Sequence, residues 1–351
     1  MEKKRQSNFE LLRLVLMLMI VSQHLINNGV LSKDGTGFYD ISTQVGSLGT
    51  FLEVAVNCFI IISGYFGIRI SIKKIIRLIL DMVIIGESIY LISALCGLEK
   101  LTIADCIYFA IPIHWWFIAY YIVLMLFAPY INKLVNNISK GWLLALVVMM
   151  YVILSVPATL AGYDFGGGIS NFIFMYIIGR YLRLHFNNLY PVYFWIIGYV
   201  LFSLCSAVGD WYLHEFSNVP YTWGIKFFQS NSIFIIPASI CFFNIFSKVS
   251  FESSAVNVLA KSSLGIYIIH EHPVIKNIYL KRLGILNNVD SGICGWALNF
   301  IIVLCLVYCL SLLLESVRLF VFDRINDRIC AAIVSVKPVR LFSDFMSDIA
   351  E

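Results

Sequence analysis

An arginine and a histidine stand at the two ends of an otherwise apolar segment, "RLVLMLMIVSQH", which runs from Arg13 to His24. A guanidinium binds phosphate and other anions well, and an imidazole can take up a proton or carry a transferred group near neutral pH. At about 100° and 1.5 Å per residue, the two side chains leave one face of a helix about 16 Å apart along its axis. The segment therefore predicts a helix with one chemically competent face. The plainer alternative is an arginine that reaches the membrane interface and a hydrogen-bonded buried histidine.

The next apolar segment, "FLEVAVNCFIIISGYFGI", carries Glu53 and Asn57 four residues apart, on one helix face. A carboxylate and an amide at the depth of His24 could orient its imidazole and tune its basicity. Ser63 and Gly64 lie deeper in the same segment. A close approach of two helices, which small residues permit, explains them as well as a role in the site does.

Two further segments add polar side chains at a comparable depth. The segment "IPIHWWFIAYYIVLMLFAPYIN" contains His114, Trp116 and Tyr120 at its start, where an interfacial aromatic belt is the alternative explanation. The segment "KSSLGIYIIHEHPV" places Tyr267 and His270 three residues apart on one face, although a helix end at the interface explains this equally well. Polar groups from several separate helices together predict a site within the membrane.

Composition identifies the kind of protein that carries these segments. Of 351 residues, 60% are hydrophobic and only 13% are charged, against about 25% in an ordinary soluble domain. The mean hydropathy is +0.85, which excludes a soluble globular fold and predicts a multi-pass membrane protein built from helices. The nine cysteines are scattered without metal-ligand spacing, so we expect neither a metal site nor a disulfide framework.

The fold class that we predict is all-α, a polytopic bundle of about ten transmembrane helices with both termini in the cytoplasm. With that orientation, 19 of the 25 basic residues fall on the cytoplasmic side, which also explains the net charge of +4 without a nucleic-acid partner. We predict a single transmembrane domain over residues 1–322 and a cytoplasmic tail over 323–351. The predicted spans are 9–29, 49–68, 77–97, 114–131, 141–161, 168–183, 189–207, 228–246, 262–280 and 293–317.

Four motifs in this order resemble the acyltransferase-3 family of bacterial integral-membrane O-acyltransferases. They are the Arg13-x10-His24 spacing, "FIIISGYF", "HWWFIAYYIVLMLFAPYIN" and "SSLGIYIIHEHP". The resemblance covers positions 9–274 and implies an enzyme of the bacterial cytoplasmic (inner) membrane. It implies transfer of an acyl group, expected to be acetyl, from cytoplasmic acetyl-CoA to a hydroxyl of a cell-surface polysaccharide or its lipid-linked precursor, without a metal.

The resemblance also implies roles for individual residues. His24 is the expected catalytic imidazole, acting as a base or as the carrier of the acyl group. Arg13 is the expected donor-side cation that contacts the CoA phosphates or the pantetheine arm. The full catalytic set that we expect is His24, Glu53, Asn57 and Tyr267, and the expected donor-binding set is Arg13, Ser63, Trp116 and His270. Tyr267, Asn57 and Trp116 are the candidate hydrogen-bond donors to an oxyanion.

One departure from the family pattern affects the second motif. Many members read "VDVFF" where this chain reads "VNCFI", so Asn57 stands in place of a carboxylate and the role of Glu53, one turn earlier, is left open. The acceptor is left open as well.

Two functions without acyl transfer compete with this one. The first is a flippase or exporter of lipid-linked glycan, in which Glu53, Glu87 and Arg13 line a conduit. Such transporters are commonly built from internal repeats with broken helices, and we find no repeat in the sequence. The second is a glycan polymerase, for which we expect a large external loop with paired arginines.

Overall fold

The computed structural model describes residues 5–30, 49–111, 115–161, 168–216, 227–282 and 292–350. His114 lies outside these ranges, as do most residues between the first two predicted spans. Throughout the described ranges the regular structure is helical and no strand occurs, which confirms the all-α class. The helices are α1 (Ser7–Leu25), α2 (Val54–Phe66), α3 (Ile72–Leu95), α4 (Ile103–Ala110), α5 (Trp116–Asn137), α6 (Lys140–Ala161), α7 (Ile169–His185), α8 (Val192–Phe216), α9 (Ile235–Ser247), α10 (Ser254–Leu259), α11 (Ser263–Glu271), α12 (Pro273–Asn277), α13 (Gly292–Ser335) and α14 (Lys337–Ala350).

The outside of the bundle is apolar along its long helices. Helix α8 exposes Phe194, Ile197 and Leu201, and α13 exposes Leu298 and Ile301. Six helices of the described part of the chain are long and apolar enough to cross a membrane, and α2 and α9 are shorter apolar helices. The chain is therefore a multi-pass membrane protein. The number of ten spans and the cytoplasmic orientation of the termini stay predictions.

Each predicted span contains a helix. Several helices extend beyond the predicted ends, and the largest differences are in the last two spans. The span predicted at 262–280 is broken, because α11 ends at Glu271 and α12 begins at Pro273. Proline cannot donate a backbone hydrogen bond, so it starts a new helix more easily than it continues one. The span predicted at 293–317 is part of a helix that continues to Ser335, so the predicted boundary at 322/323 falls inside one continuous helix.

Helix α1 lies in the interior of the bundle and packs against α2, α9, α11 and α13. Its buried apolar residues, among them Leu12, Leu16 and Val21, belong to the main hydrophobic core. On the far side of α2, the backbone of α7 comes very close. A Cβ atom on Gly64 would collide with the carbonyl of Tyr176, and one on Gly179 would lie 2.9 Å from the Gly64 Cα. The sequence-based packing explanation of Gly64 is therefore confirmed.

A group of ion pairs joins the second half of α13 to α3. Asp81 accepts hydrogen bonds from Arg77 at 3.0 Å and from Arg318 at 2.9 Å. Arg318 also pairs with Glu315 at 2.6 Å. The Glu315 carboxylate lies directly against Gly265 of α11, where a Cβ atom would have no room. This cluster thus fixes α3, α13 and α11 relative to one another.

We predict that Gly64→Ala destabilises the protein by about 1–3 kcal/mol, because the added methyl group must displace the backbone of α7. Gly141→Ala is the matched control, since nothing lies within 4 Å of a Cβ atom there, and it should leave the unfolding midpoint unchanged or raise it. Thermal unfolding of the purified variants in one detergent measures both. Equal midpoints for Gly64→Ala and wild type would contradict the close α2–α7 approach.

Candidate active site

One face of α1, the α1 stripe, lines a cavity. Arg13, Met17, Ile20 and His24 follow one another along this face, and all four line a cavity of about 360 Å³. The common face that the spacing of Arg13 and His24 predicts is therefore present in the structure. The rest of the lining comes from α2, α3, α5, α11 and the segments beside α1 and α11: Arg5, Val56, Phe59, Ser63, Leu78, Trp116, Phe117, Ile118, Tyr121, Ala260, Lys261, Ser263, Leu264 and Tyr267.

The Arg13 part of the cavity is cationic. Arg5, Arg13 and Lys261 all line it, and the carboxylate among them belongs to the buried Glu10. Arg13 Nη1 lies 3.0 Å from Glu10 Oε1, and Arg5 Nη1 lies 3.5 Å from Glu10 Oε2. Three cations against one carboxylate leave this part of the cavity suited to an anionic group such as a phosphate.

Between Arg13 and His24 the lining is apolar and aromatic. The rings of Phe117 and Tyr121 are stacked with centroids 5.9 Å apart, and Tyr267 lies 5.9 Å from Phe117 on its edge. Two polar groups along this wall are engaged with each other: Ser63 Oγ donates to the carbonyl of Phe59 and lies 3.2 Å from the Tyr121 hydroxyl. Such a wall accommodates a slender, mostly apolar part of a ligand.

At the His24 end, the α1 stripe contacts α11. His24 Nδ1 lies 2.8 Å from His270 Nε2 and 3.0 Å from Glu271 Oε1. Glu271 Oε2 also accepts from Lys276 at 3.0 Å. The contact between the two imidazoles has hydrogen-bond geometry, whereas the contact between His24 and Glu271 Oε1 has only the distance of an ion pair. Glu271 therefore acts on His24 through its charge.

The hydrogen bonds of His270 determine which nitrogen of His24 carries the proton. His270 Nδ1 lies 2.6 Å from the carbonyl oxygen of Ile266, which can only accept, so Nδ1 carries the hydrogen. In a neutral His270 the Nε2 atom is then the acceptor, and His24 Nδ1 must be the donor across the 2.8 Å contact. A neutral His24 thus keeps the lone pair of its Nε2, on a side chain that lines the cavity.

The same three side chains, His24, His270 and Glu271, are close enough to be considered as metal ligands, with donor atoms within 4.8 Å of one another. Two nitrogen ligands of a tetrahedral zinc ion stand about 3.3 Å apart, given Zn–N bonds of about 2.0–2.1 Å. The 2.8 Å separation of His24 Nδ1 and His270 Nε2 is shorter and matches a hydrogen bond instead. That the reaction needs no metal stays a prediction.

Five of the eight residues expected from the sequence line the cavity: Arg13, His24, Ser63, Trp116 and Tyr267. His270 does not line it but contacts His24 from behind. Glu53 accepts a hydrogen bond from Gln23, the neighbour of His24, rather than from His24 itself. The orienting position that the sequence suggested for Glu53 and Asn57 is therefore taken by His270 and Glu271.

Asn57 is fully engaged elsewhere in the bundle. Its amide nitrogen donates to the carbonyl of Ser230 at 2.7 Å and to Ser239 Oγ at 3.1 Å, and its amide oxygen accepts from Asn171 at 2.9 Å. This fully buried side chain joins α2 to α7 and to the segment around α9. A catalytic role of Asn57 or Glu53 stays a prediction that these contacts do not support.

Three residues of the site escaped the interpretation of the sequence. Arg5 precedes the first predicted span, Lys261 begins the quoted "KSSLGIY" motif, and Glu271 lies between two histidines. Lys261 was visible as a charge just before the predicted span 262–280 and Glu271 as a charge inside it, but only their position against α1 shows what they contact. Because Lys261 and Glu271 lie far from α1 in the sequence, their contacts with it could not be predicted.

The comparison of the whole chain with known families agrees with the site. A family model described as an acyltransferase domain, that of acyltransferase-3, matches residues 6–316. The comparisons with curated proteins and with solved structures give no match. The family model spans the cavity, both imidazoles and most of the bundle, and the chain therefore belongs to the acyltransferase-3 family.

Proposed function

We propose that this protein is an O-acyltransferase of the bacterial cytoplasmic membrane. It transfers an acyl group, in the first instance acetyl, from cytoplasmic acetyl-CoA to a hydroxyl of a cell-surface polysaccharide or its lipid-linked precursor. The observation that carries the proposal is one cavity with cations at one end of the α1 stripe and an imidazole at the other.

The order of the lining matches the order of groups in an acyl-CoA donor. The phosphates bind beside Arg5, Arg13 and Lys261, where the cations outnumber the carboxylate. The slender pantetheine arm passes the aromatic wall, and the thioester reaches His24. The rise of α1 between Arg13 and His24, about 16 Å, separates the nucleotide end of the donor from its reacting end.

At the reacting end, His24 Nε2 removes the proton of the acceptor hydroxyl while the hydroxyl oxygen attacks the thioester carbonyl carbon. A C–O bond forms, and the negative charge develops on the carbonyl oxygen. Tyr267 and Trp116 line this cavity and are the candidate donors to that oxyanion. When the C–S bond breaks, the thiolate leaves and takes the proton from the imidazolium, which restores neutral His24.

The placement of the carboxylates favours this function over a flippase. A conduit requires Arg13, Glu53 and Glu87 to share one path. In the described part of the chain, Arg13 lines the His24 cavity, Glu87 lines a separate pocket beside α4, and Glu53 is bonded to Gln23.

We predict that His24→Ala lowers kcat for acyl transfer by about 10²–10⁴-fold, the range that a general base supplies. Because the cationic end of the cavity is untouched, binding of CoA to this variant should stay at the wild-type level. Release of free thiol from acetyl-CoA in the presence of a cell-envelope glycan fraction measures the rate, and calorimetry with CoA measures binding. The control is His185→Ala on α7, because the His185 ring lies beside that of Tyr181, with centroids 5.8 Å apart, and does not line the cavity.

Wild-type turnover by His24→Ala would exclude His24 as the catalytic imidazole. Export of an unmodified lipid-linked glycan by purified protein in vesicles, with no thiol released, would instead support the flippase.

We predict that Arg13→Gln raises the KM for acetyl-CoA about 10–100-fold, since a hydrogen bond to a charged group contributes about 1.5–3 kcal/mol. The kcat at saturation should change little, because Arg13 lies three helical turns from His24. Acetyl-pantetheine, which lacks the phosphates, is the matched donor: with it, wild type and Arg13→Gln should have the same KM. An equal loss with both donors would contradict phosphate binding by Arg13.

A further inference from the structure

We propose that His270 is a positioning residue that holds His24 in the tautomer with the proton on Nδ1, and that Glu271 stabilises the imidazolium that forms on His24 during the reaction. This inference rests on the proposed function, because it explains how His24 becomes a base. Neither residue lines the cavity, so both act through His24 and not on the substrate.

The first step of the argument is that His270 has little freedom. It is buried, with 1% of its surface exposed, and its Nδ1 atom is held by the carbonyl of Ile266 one turn earlier in α11. Moving the ring proton of His270 from Nδ1 to Nε2 would leave an unprotonated Nδ1 facing the carbonyl oxygen of Ile266 at 2.6 Å. A buried polar atom that loses its hydrogen bond costs about 1–3 kcal/mol, so the tautomer with the proton on Nδ1 is strongly favoured.

The second step concerns the two possible tautomers of His24. With the proton on Nδ1, the 2.8 Å contact is a hydrogen bond to His270 Nε2. With the proton on Nε2, two nitrogen lone pairs would face each other across that distance, and the lone pair needed in the cavity would be missing. His270 thus selects the tautomer that leaves Nε2 basic, which is the role that an orienting carboxylate has in a Ser-His-Asp triad.

The third step assigns Glu271. Its Oε1 atom is 3.0 Å from His24 Nδ1 and accepts no hydrogen bond, while Oε2 pairs with Lys276. A neutral His24 gains little from this carboxylate. Once His24 has accepted a proton, its positive charge is adjacent to Glu271 in a poorly solvated place, where an opposite charge stabilises it most. The pair therefore favours the charged intermediate over the resting state.

Spectroscopy of the resting protein tests the tautomer without any turnover. The full chain is labelled with ¹⁵N-histidine and placed in lipid nanodiscs, and the His24 signals are identified as those missing from His24→Ala. The chain has six histidines, so this assignment by difference is practical. We expect wild type to show a protonated Nδ1 and an unprotonated Nε2 on His24, and His270→Ala to show a mixture of both tautomers.

Kinetics on a series of variants separates positioning from folding. His270→Gln retains an acceptor near the place of Nε2, whereas His270→Asn is too short to reach His24. We expect kcat to fall by about 10²–10³-fold in His270→Ala and His270→Asn and to be partly restored in His270→Gln, on the scale set by loss of an orienting group. Glu271→Gln should lower kcat with the tautomer unchanged. In all four variants the KM for acetyl-CoA should stay near that of wild type.

Two results would overturn the proposal: an unchanged His24 tautomer in His270→Ala, or equal kcat in His270→Gln and His270→Ala. A His24→Ala variant that remained active would overturn the proposed function instead, and the tautomer measurement would still decide whether His270 positions the ring. The two failures are therefore distinguishable.

Discussion

A polar stripe on a helix cannot face lipid, and much of this fold follows from that constraint on α1. A charged side chain in the hydrocarbon region costs several kcal/mol unless it is paired or reaches water. Residues beside the stripe, such as Leu12 and Leu16, are packed into the main core. Because α2, α9, α11 and α13 pack against α1, the stripe from Arg13 to His24 opens into a protein-lined cavity instead of into lipid. The cavity thus keeps the side chains of Arg13 and His24 away from lipid.

The polar side chains at the two ends of the stripe, Arg13 and His24, find their partners in different ways. Arg13 has a partner within its own helix, Glu10, which is one turn away and largely sequence-encoded. His24 depends on α11, and therefore on the register between two helices that are far apart in the chain. That register is supported from the outside: Gly265 of α11 packs on Glu315, which is bound to Arg318, and Arg318 is bound to Asp81. A shift of α11 by one residue would rotate His270 by about 100° away from His24.

Local periodicity and composition were enough to predict that the chain forms these helices. The helical class follows from composition, and the common face of Arg13 and His24 follows from spacing within one helix. The close packing at Gly64 was one of the explanations that its small side chain allowed. The partners of His24 could not be predicted, because they lie 246 and 247 residues away and their register is set by tertiary packing. Glu53 and Asn57 were plausible on sequence spacing alone, but rotation of α2 turns Asn57 toward Asn171 and Ser239.

The break after Glu271 illustrates the same limit. Proline at position 273 signals the end of a helix, and the sequence places that end near a membrane interface. The sequence does not reveal that His270 and Glu271, the last residues of α11, contact His24 of α1. That contact lies just before α1 continues as a π-helical turn over Ile26–Val30. Irregular helical turns of this kind are frequent at functional sites, and here two broken helix ends meet at the imidazole pair.

Support for the cavity extends beyond the part of the chain that matches the family model. That match ends at residue 316, yet Arg318 carries the bond to Asp81 that anchors α3. Further on, Met346 of α14 joins a small apolar cluster with Ile72, Ile75 and Met125. Leu78 and Tyr121 pack against that cluster on one side and line the cavity on the other. The C-terminal helices therefore stabilise the wall of the cavity between α3 and α5, so the shape of the cavity depends on residues that lie beyond the family match.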